Sequence, residues 1–453
     1  MSLPILGANT LSSGFSVANS VRMNGDARMT ITPSTADADR WTFSCWVKRS
    51  VISSGSQTLF SAIDPSNNLT ELRFNSDDKI DYYSHDGSSY TGRLNTNRVF
   101  RDVAAWYHIV AVWDSANGTA GNRMRLYING VEETSFATDT NPSSGQDSYV
   151  GANLPHYVGD KGDAGQYFKG YMAEVYYCNG QAYAASDFGE FDEDSPTIWK
   201  PKDASGLTFG TGGFYLDFED SANLGNDANG GTDLTESGLA ATDQASDSPT
   251  NNFCTMSPLW NFANDATLSE GNLKVVGGGA WNSAGATIGL TAGKWYYEVK
   301  MTTLPGGGSN GRTGFFDSEV NVSSGNIFAQ TNGTTYYYNE DGGEMIKDNS
   351  ATTNDYGVVA QGSILGVALN MDDKQVTFYD DNSAIVTNYA LSSNIGTAIP
   401  SSSCYNETQE YNFGNPPYSL TSAASDENGY GSFEFAPPSG YYAICTKNLA
   451  EFG

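Results

Sequence analysis

The chain has 453 residues, in which 52 Asp and Glu outnumber 23 Lys and Arg and give a net charge of −29. That charge excludes a protein that grips nucleic acid or docks on an anionic membrane, because basic side chains hold both kinds of partner. An aromatic content of 13% excludes a wholly disordered chain, and the large numbers of Gly and Tyr, 50 and 27, predict an all-β protein rich in turns.

The beginning of the chain has neither a basic segment nor an apolar run long enough for a signal peptide. No window approaches the ~18 consecutive apolar residues of a membrane span. We therefore expect a chain that is made in the cytoplasm and does not insert into a membrane. The cysteines are odd in number and too widely spaced for a CxxC metal site or a disulfide framework; they are Cys45, Cys178, Cys254, Cys404 and Cys445.

The first third of the chain is predicted to form a series of short strands. Residues 41–48 (WTFSCWVK) alternate, so every second side chain from Trp41 onward faces one way. Residues 106–113 (WYHIVAVW) are apolar on both faces, which predicts a central strand of a β-sandwich. Asn129 and Gly130 lie between two strand halves and tolerate the positive φ of a type I′ turn, which predicts a β-hairpin.

These segments are followed by residues 168–177 (FKGYMAEVYY), and together they resemble the laminin-G-like family of concanavalin A-type jelly rolls over residues ~15–185. The resemblance implies a β-sandwich domain spanning residues 1–190, of a kind found in adhesive proteins. Ala173 stands where the family commonly has an acidic residue. The resemblance therefore does not carry a calcium role to this position.

Residues 191–264 are rich in Asp, Gly, Asn and Ser and are predicted to form an acidic connector with one or two strands, packed on its neighbours. Their carboxylates are the candidate calcium ligands of the chain, because Ca²⁺ prefers oxygen ligands on loops. The competing interpretation is that Asp fills turns and supplies solubility. The candidates are Asp217, Asp220 and Asp227, together with the run 192–194.

Three further motifs occur in the order found in SPRY domains. They are residues 293–299 (GKWYYEV), 362–372 (GSILGVALNMD) and 376–382 (VTFYDDN). The resemblance implies a second β-sandwich, predicted over residues 265–453 with a C-terminal extension. The fold class is thus expected to be all-β, with two jelly-roll-type sandwiches joined by a partly structured connector.

The sequence offers no pattern typical of an enzyme. Its nearest acidic cluster, residues 190–194 (EFDED), lies beside Pro196 and is expected to be a solvated loop. The three histidines lack partners at metal-ligand spacing; they are His85, His108 and His156. We therefore predict no catalytic residues and no certain cofactor, with calcium as the one inorganic candidate.

Clustered tyrosines suggest a place for a sugar ring, because aromatic faces stack on pyranose rings in lectins. The candidate ligand-binding residues are Tyr82, Tyr336 and Tyr338. Strand alternation also favours the competing interpretation, in which these rings fill a core.

Residues 248–254 (SPTNNFC), 411–418 (YNFGNPPY) and 435–442 (FAPPSGYY) resemble large virion proteins of bacteriophages, notably marine ones, which place such modules in tandem. The resemblance implies a non-enzymatic tail or capsid fibre or decoration that presents lectin-like domains to host surface glycans. Its implied partners are other virion proteins, host polysaccharide and further copies of the chain, with a trimer as the expected assembly. The implied location is the virion surface after synthesis in the host cytoplasm.

Three alternatives stay open at this point. The same appendage protein is alternatively a polysaccharide depolymerase, which needs a carboxylate pair ~5–9.5 Å apart in a cleft. It is alternatively a purely architectural spacer, or a bacterial surface adhesin.

Overall fold

The computed structural model describes residues 14–34, 37–163, 165–260, 262, 264–304, 311–322, 327–329, 334–348 and 350–453. They divide into two compact units, an N-terminal unit that ends at Thr250 and a C-terminal unit that begins at Asn251. Strands dominate both units, and the predicted all-β class with two sandwich domains is confirmed. The first 13 residues, on which the expectation about targeting depends in part, lie outside the described residues.

The described part of the N-terminal unit contains 18 strands. They are β1 (Ser20–Asn24), β2 (Arg28–Ile31), β3 (Arg40–Arg49), β4 (Gln57–Ile63), β5 (Leu69–Phe74), β6 (Ile80–His85), β7 (Tyr90–Thr96), β8 (Trp106–Asp114), β9 (Met124–Ile128), β10 (Val131–Glu132), β11 (Phe136–Thr140), β12 (His156–Val158), β13 (Lys169–Asn179), β14 (Gly189–Phe191), β15 (Trp199–Pro201), β16 (Phe214–Leu216), β17 (Thr235–Ser237) and β18 (Gln244–Ala245).

Two antiparallel sheets form the sandwich of this unit. Sheet I has the order β10-β9-β8-β3-β13-β1-β18, with β16 also beside β13, and sheet II has the order β11-β7-β6-β5-β4-β12-β2-β17. The alternation predicted for residues 41–48 is confirmed, because Trp41 and Phe43 of β3 are buried in the core between the sheets. Phe43 stacks on Phe60 of sheet II with ring centroids 4.4 Å apart.

The outer face of sheet I is buried as well, which explains why β8 is apolar on both sides. Val110 and Val112 pack there against Phe188, Phe209 and their neighbours in a second hydrophobic cluster. The residues that cover this face follow β13 in the chain, where the sequence predicted a connector.

Residues 191–250 accordingly pack as part of the N-terminal unit, whose boundary falls at Thr250. Phe214, Leu216 and Leu234 belong to the core between the two sheets, and β16 pairs with β13. Composition suggested a connector because Asp, Gly and Asn dominate this stretch, but its few large apolar residues are enough to anchor it in the sandwich.

The described part of the C-terminal unit contains 15 strands and one α-helix. They are β19 (Met256–Ser257), β20 (Thr267–Ser269), β21 (Lys274–Val276), β22 (Asn282–Ala286), β23 (Lys294–Thr303), β24 (Gly311–Asp317), β25 (Thr335–Asn339), β26 (Glu344–Lys347), β27 (Ser350–Ala351), β28 (Ile364–Asn370), β29 (Gln375–Asp380), β30 (Ser383–Ala390), β31 (Ala398–Cys404), β32 (Thr408–Asn412), β33 (Tyr442–Ala443) and α1 (Thr446–Phe452).

These strands form a second sandwich. Sheet III has the order β19-β22-β31-β24-β25-β26-β27, and sheet IV has the order β20-β21-β32-β23-β28-β29-β30, with β33 parallel to β23. Trp295, Tyr297 and Val299 of β23 are buried in the core as their alternation predicted. Among the described residues, no helix is long and apolar enough to cross a membrane.

Candidate functional site

A pocket lined by aromatic side chains opens on the N-terminal unit. Its volume is about 290 Å³, close to the lower end of the range of about 300–1,000 Å³ for small-ligand sites. Its lining residues are Trp46, Arg98, Trp106, Ile128, Asn129, Val131, Phe191, Thr197 and Trp199.

Strand alternation directs the first two tryptophans to the outer face of sheet I. In β3 the odd-numbered side chains from Trp41 fill the core, so Trp46 points the other way. Pairing between β3 and β8 sets Trp46 opposite His108 and Lys48 opposite Trp106. These four side chains therefore form one patch on the outer face.

Two hairpins supply the rest of the wall. The first joins β9 to β10 through Asn129 and Gly130, whose φ angles are +48° and +79°, so the predicted type I′ turn is confirmed. The second pairs β14 with β15 and brings Phe191 opposite Trp199. The two rings meet edge to face, with centroids 4.9 Å apart.

Trp199 lies against backbone on two sides because glycines leave room for it. A Cβ on Gly130 would lie 2.3 Å from the Trp199 ring, and one on Gly189 would lie 2.5 Å from it. The indole Nε1–H donates a hydrogen bond of 3.1 Å to Nδ1 of His108. Close packing and one directed hydrogen bond thus set the orientation of this ring.

His108 is a neutral, fully buried support beneath the pocket. Its Nδ1 accepts from Trp199, so the ring proton is on Nε2, which donates to Oγ of Ser44 at 2.9 Å. The imidazole also stacks on Trp46, with centroids 4.8 Å apart. Burial lowers the pKa of His108 to about 3, so it carries no charge near neutral pH.

Trp106 is hydrogen-bonded to the carboxylate of a buried ion pair. Its Nε1–H donates to Oδ1 of Asp247 at 3.0 Å, and Lys48 Nζ lies 2.7 Å from Oδ2 of the same carboxylate. Both charged side chains are almost fully buried. The pair therefore connects the strand that carries Trp46 to the indole of Trp106.

The rim of the pocket is apolar and exposed. Phe191 is 43% exposed and Val131 is 56% exposed, although both are large hydrophobic residues. Exposed apolar groups beside a concave site are a feature of ligand-binding surfaces. The pocket can thus offer an aromatic face to a ligand ring and hydrogen-bond donors to its edge.

The tyrosines predicted to stack on sugar are buried, and that prediction is wrong. Tyr82 is in the core of the N-terminal unit, and Tyr336 and Tyr338 are in the core of the C-terminal unit, all with no exposed surface. Alternation along β6 and β25 turns these rings inward, so none can contact an external ligand.

The candidate calcium ligands instead stabilise turns. Asp217 accepts the backbone N–H of Glu219, and Asp220 accepts that of Ala222. Asp227 is buried and accepts the backbone N–H groups of Tyr215, Asn229 and Gly231. Among the described residues, no group of three or more Asp, Glu, His or Cys side chains has the arrangement of a metal site.

The acidic run at residues 190–194 is also more structured than a solvated loop. Asp192 is buried, lies 3.2 Å from Lys200 Nζ and accepts the N–H groups of Asp194 and Ser195. It closes the hairpin between β14 and β15, which carries Phe191 and Trp199 into the pocket.

Sequence reasoning missed the residues that line the pocket. They come from five separate segments of the chain, and no single sequence motif brings the five together. One signal was available, because Trp46 lies on the face of β3 opposite to Trp41 and Phe43. A tryptophan on the supposedly polar face of a strand indicates that something covers or binds that face.

Comparison with family models gives two matches. Residues 23–185 match Laminin_G_3, described as the concanavalin A-like lectin/glucanases superfamily, and residues 294–416 match the SPRY domain. Both domain resemblances expected from the sequence are confirmed over these residues. No curated protein matches the chain.

Comparison with solved structures finds remote similarities. Domains LG4-5 of the mouse laminin alpha1 chain are 8% identical, with coverage of 90% of this chain and 92% of that chain and a TM-score of 0.32. Domain 4 of AbnA, a GH43 extracellular arabinanase from Geobacillus stearothermophilus solved with arabinotriose, is 20% identical, with coverage of 39% and 79% and a TM-score of 0.30. The SPRY domain of human HERC1 is 15% identical, with coverage of 31% and 87% and a TM-score of 0.27.

Proposed function

We propose that the chain is a carbohydrate-binding protein and that its N-terminal unit holds a saccharide in the tryptophan-lined pocket. The observation that carries the proposal is the set of four aromatic rings around one pocket, with Phe191 and Val131 exposed at its rim. The match of residues 23–185 to a superfamily that includes lectins supports it.

The chemistry of the pocket suits a sugar ring. The apolar C–H face of a pyranose packs on an aromatic ring, and the buried area provides most of the affinity. Trp199 is fixed by His108 and by the close approach of Gly130, so little side-chain freedom is lost on binding.

The test is a glycan microarray probed with the full chain, followed by titration calorimetry on the strongest ligands. We expect Phe191→Ala to weaken binding at least fivefold. Tyr90→Ala is the matched control, because Tyr90 is also 43% exposed but does not line the pocket. Blank arrays, or equal effects of the two variants, would contradict the proposal.

We propose further that the binding serves adhesion at a phage virion surface, where the chain acts as a non-enzymatic tail or capsid fibre or decoration. The support is the resemblance of the segments around Pro249, Pro416 and Pro437 to phage virion proteins. In this proposal the chain is made in the host cytoplasm, assembles with other virion proteins as a homo-oligomer and meets host polysaccharide after lysis.

Immunogold microscopy of purified phage particles tests this location. Label at the tail tip or over the capsid would support a virion role, and unlabelled particles would contradict it. Light scattering of the purified chain tests the expected trimer.

A further inference from the structure

The polar side chains around the pocket are biased toward donors. Arg98, Asn129 and Thr197 supply the polar groups, and none of the nine lining residues is Asp or Glu. Carboxylates that would accept hydrogen bonds from the hydroxyls of a neutral sugar are therefore missing from the described lining.

Arg98 is placed so that the fork of its guanidinium stays available. Its Nε lies 3.4 Å from Oε2 of Glu133, and the side chain is 51% exposed, whereas that of Glu133 is 7% exposed. The ion pair is made by Nε, which leaves the terminal Nη groups available to a further partner. They form the planar pair of donors that binds an oxyanion in bidentate fashion.

Hydrogen bonds hold the loop that carries Arg98 on both sides of this residue. Thr96 Oγ1 donates to the carbonyl of Arg98 at 2.8 Å, and the backbone N–H of Asn97 donates to the carbonyl of Ser135 at 3.0 Å. The N–H of Ser135 in turn donates to Oε1 of Glu133 at 3.0 Å. The backbone that carries Arg98 is thus held in place before any ligand binds.

Asn129 presents a second donor with a fixed orientation. The backbone N–H of His108 donates to its Oδ1 at 2.7 Å. An N–H group can bond only to the oxygen of the amide, so the Nδ2 end remains available as a donor. The hairpin therefore adds the donor group of Asn129 to the pocket lining.

We propose that the ligand of this pocket is an anionic sugar, a pyranose ring that carries a carboxylate or a sulfate. This inference rests on the proposed function, since it names the class of saccharide that the same pocket holds. The ring packs on Trp199 and Phe191, the oxyanion pairs with the Nη fork of Arg98, and Asn129 Nδ2 donates to an oxygen of the ring substituents. A neutral sugar would offer the Nη groups of Arg98 no charged acceptor.

The test is titration calorimetry of the full chain at 0.15 M ionic strength, where the Debye length of about 8 Å screens the overall negative charge. The probes are matched pairs of oligosaccharides, one built from glucuronate or galacturonate and one from glucose or galactose, with sulfated galactans as a third arm. A charge-assisted hydrogen bond favours the anionic member by about tenfold or more. Preference for uronates or for sulfated sugars distinguishes the two oxyanions.

The discriminating variant is Arg98→Gln, and Arg101→Gln is its matched control. Arg101 lies in the same loop, is 53% exposed and pairs with Asp78, but does not line the pocket. We expect Arg98→Gln to remove the preference for anionic sugars while binding of the neutral sugar persists, and Arg101→Gln to change neither.

Two results would overturn the inference, and they are distinguishable. Equal affinity for the neutral and anionic members of each pair would contradict it while the proposed function stands. Absence of binding to every saccharide probe would contradict the proposed function and this inference with it.

Discussion

Trp199 and His108, which are 91 positions apart in the chain, are joined by a hydrogen bond of 3.1 Å from the indole Nε1–H to the imidazole Nδ1. The bond fixes one wall of the pocket to a central strand of sheet I. It also defines the tautomer of His108, because Nδ1 must be unprotonated to accept it. A tryptophan that lines the pocket is therefore supported by a buried group that does not line it.

Replacing His108 should weaken saccharide binding through Trp199. His108→Phe retains a flat ring but removes the acceptor, and a buried N–H without a partner costs about 1–3 kcal/mol. We expect at least a threefold loss of affinity by calorimetry. His156→Phe is the control, because His156 is buried in the same unit and away from the pocket. Equal losses of affinity in both variants would contradict the role of His108.

The buried histidines should make the N-terminal unit sensitive to acid. Burial lowers the pKa of His156 to about 4, below its usual value of 6.5. A histidine whose pKa is lowered in the folded state stabilises the fold above pH 6.5. This stabilisation is lost as the pH falls toward 4. Relative to His156→Gln, the wild type should lose about 1.5 kcal/mol of unfolding free energy between pH 6.5 and pH 5.

That difference is measured by urea unfolding of both proteins at the two pH values. The comparison with the variant is needed because burial raises the pKa of Glu174 to about 7. The titration of Glu174 makes the unfolding free energy fall as the pH rises, opposite to the effect of His156. A wild type and variant that respond to pH in parallel would show that His156 is not the cause.

The C-terminal unit contains a buried pair of carboxyl groups, Glu340 and Glu407. A Cβ at Gly311 would lie 2.0 Å from an oxygen of each, so the two groups converge on one point. Gln409 donates to both oxygens of Glu340, and Glu407 lies against both Glu340 and Gln409. Burial, with the charge of Glu340 close by, raises the pKa of Glu407 to about 11.

This pair predicts that the C-terminal unit loses stability as the pH rises. A carboxyl group whose pKa is raised in the folded state makes its full contribution to the free energy of unfolding below its unfolded pKa of 4.5. Above that pH the contribution declines by as much as ~1.4 kcal/mol per pH unit. We expect Glu407→Gln to be more stable than the wild type at pH 8 and less dependent on pH. Hydrogen exchange of β24 and β31 measures this, with the exposed Glu427→Gln as control. Slower exchange in the wild type at pH 8 would contradict the prediction.

Breaking the ion pair between Lys48 and Asp247 should damage both stability and the pocket. Asp247→Ala leaves a buried ammonium without its partner, at a cost of about 3–5 kcal/mol, and removes the acceptor of Trp106. The double variant Lys48→Met with Asp247→Leu should recover most of the unfolding free energy, because both charges of the buried pair are removed. Thermal unfolding of the wild type and the two variants measures this difference. A double variant that is no more stable than Asp247→Ala would contradict the prediction.

Local patterns predicted much of the fold. Alternation in β3 and β23 identified the core faces, and Asn129-Gly130 identified a hairpin, because both signals depend on neighbouring residues. The role of residues 191–250 could not be predicted in the same way. Their contribution to the core comes from Phe214 and Leu216, whose packing partners on β13 lie some 40 positions away.

The pocket was harder to predict for the same physical reason. Asn129 was noted for its turn, and residues 190–194 for their charge, yet each contributes through contacts with distant strands. The three tyrosines were proposed because they are aromatic and clustered, but alternation within a two-sided sandwich buries such rings. An exposed Phe191 beside a glycine-backed Trp199 becomes recognisable only when both hairpins are in place.

The most direct test of saccharide binding by the N-terminal unit is a crystal structure of the full chain with the strongest microarray ligand. We predict a pyranose ring against Trp199 and Phe191, within hydrogen-bond distance of Asn129. A saccharide bound elsewhere in the chain, with this pocket empty, would contradict the assignment.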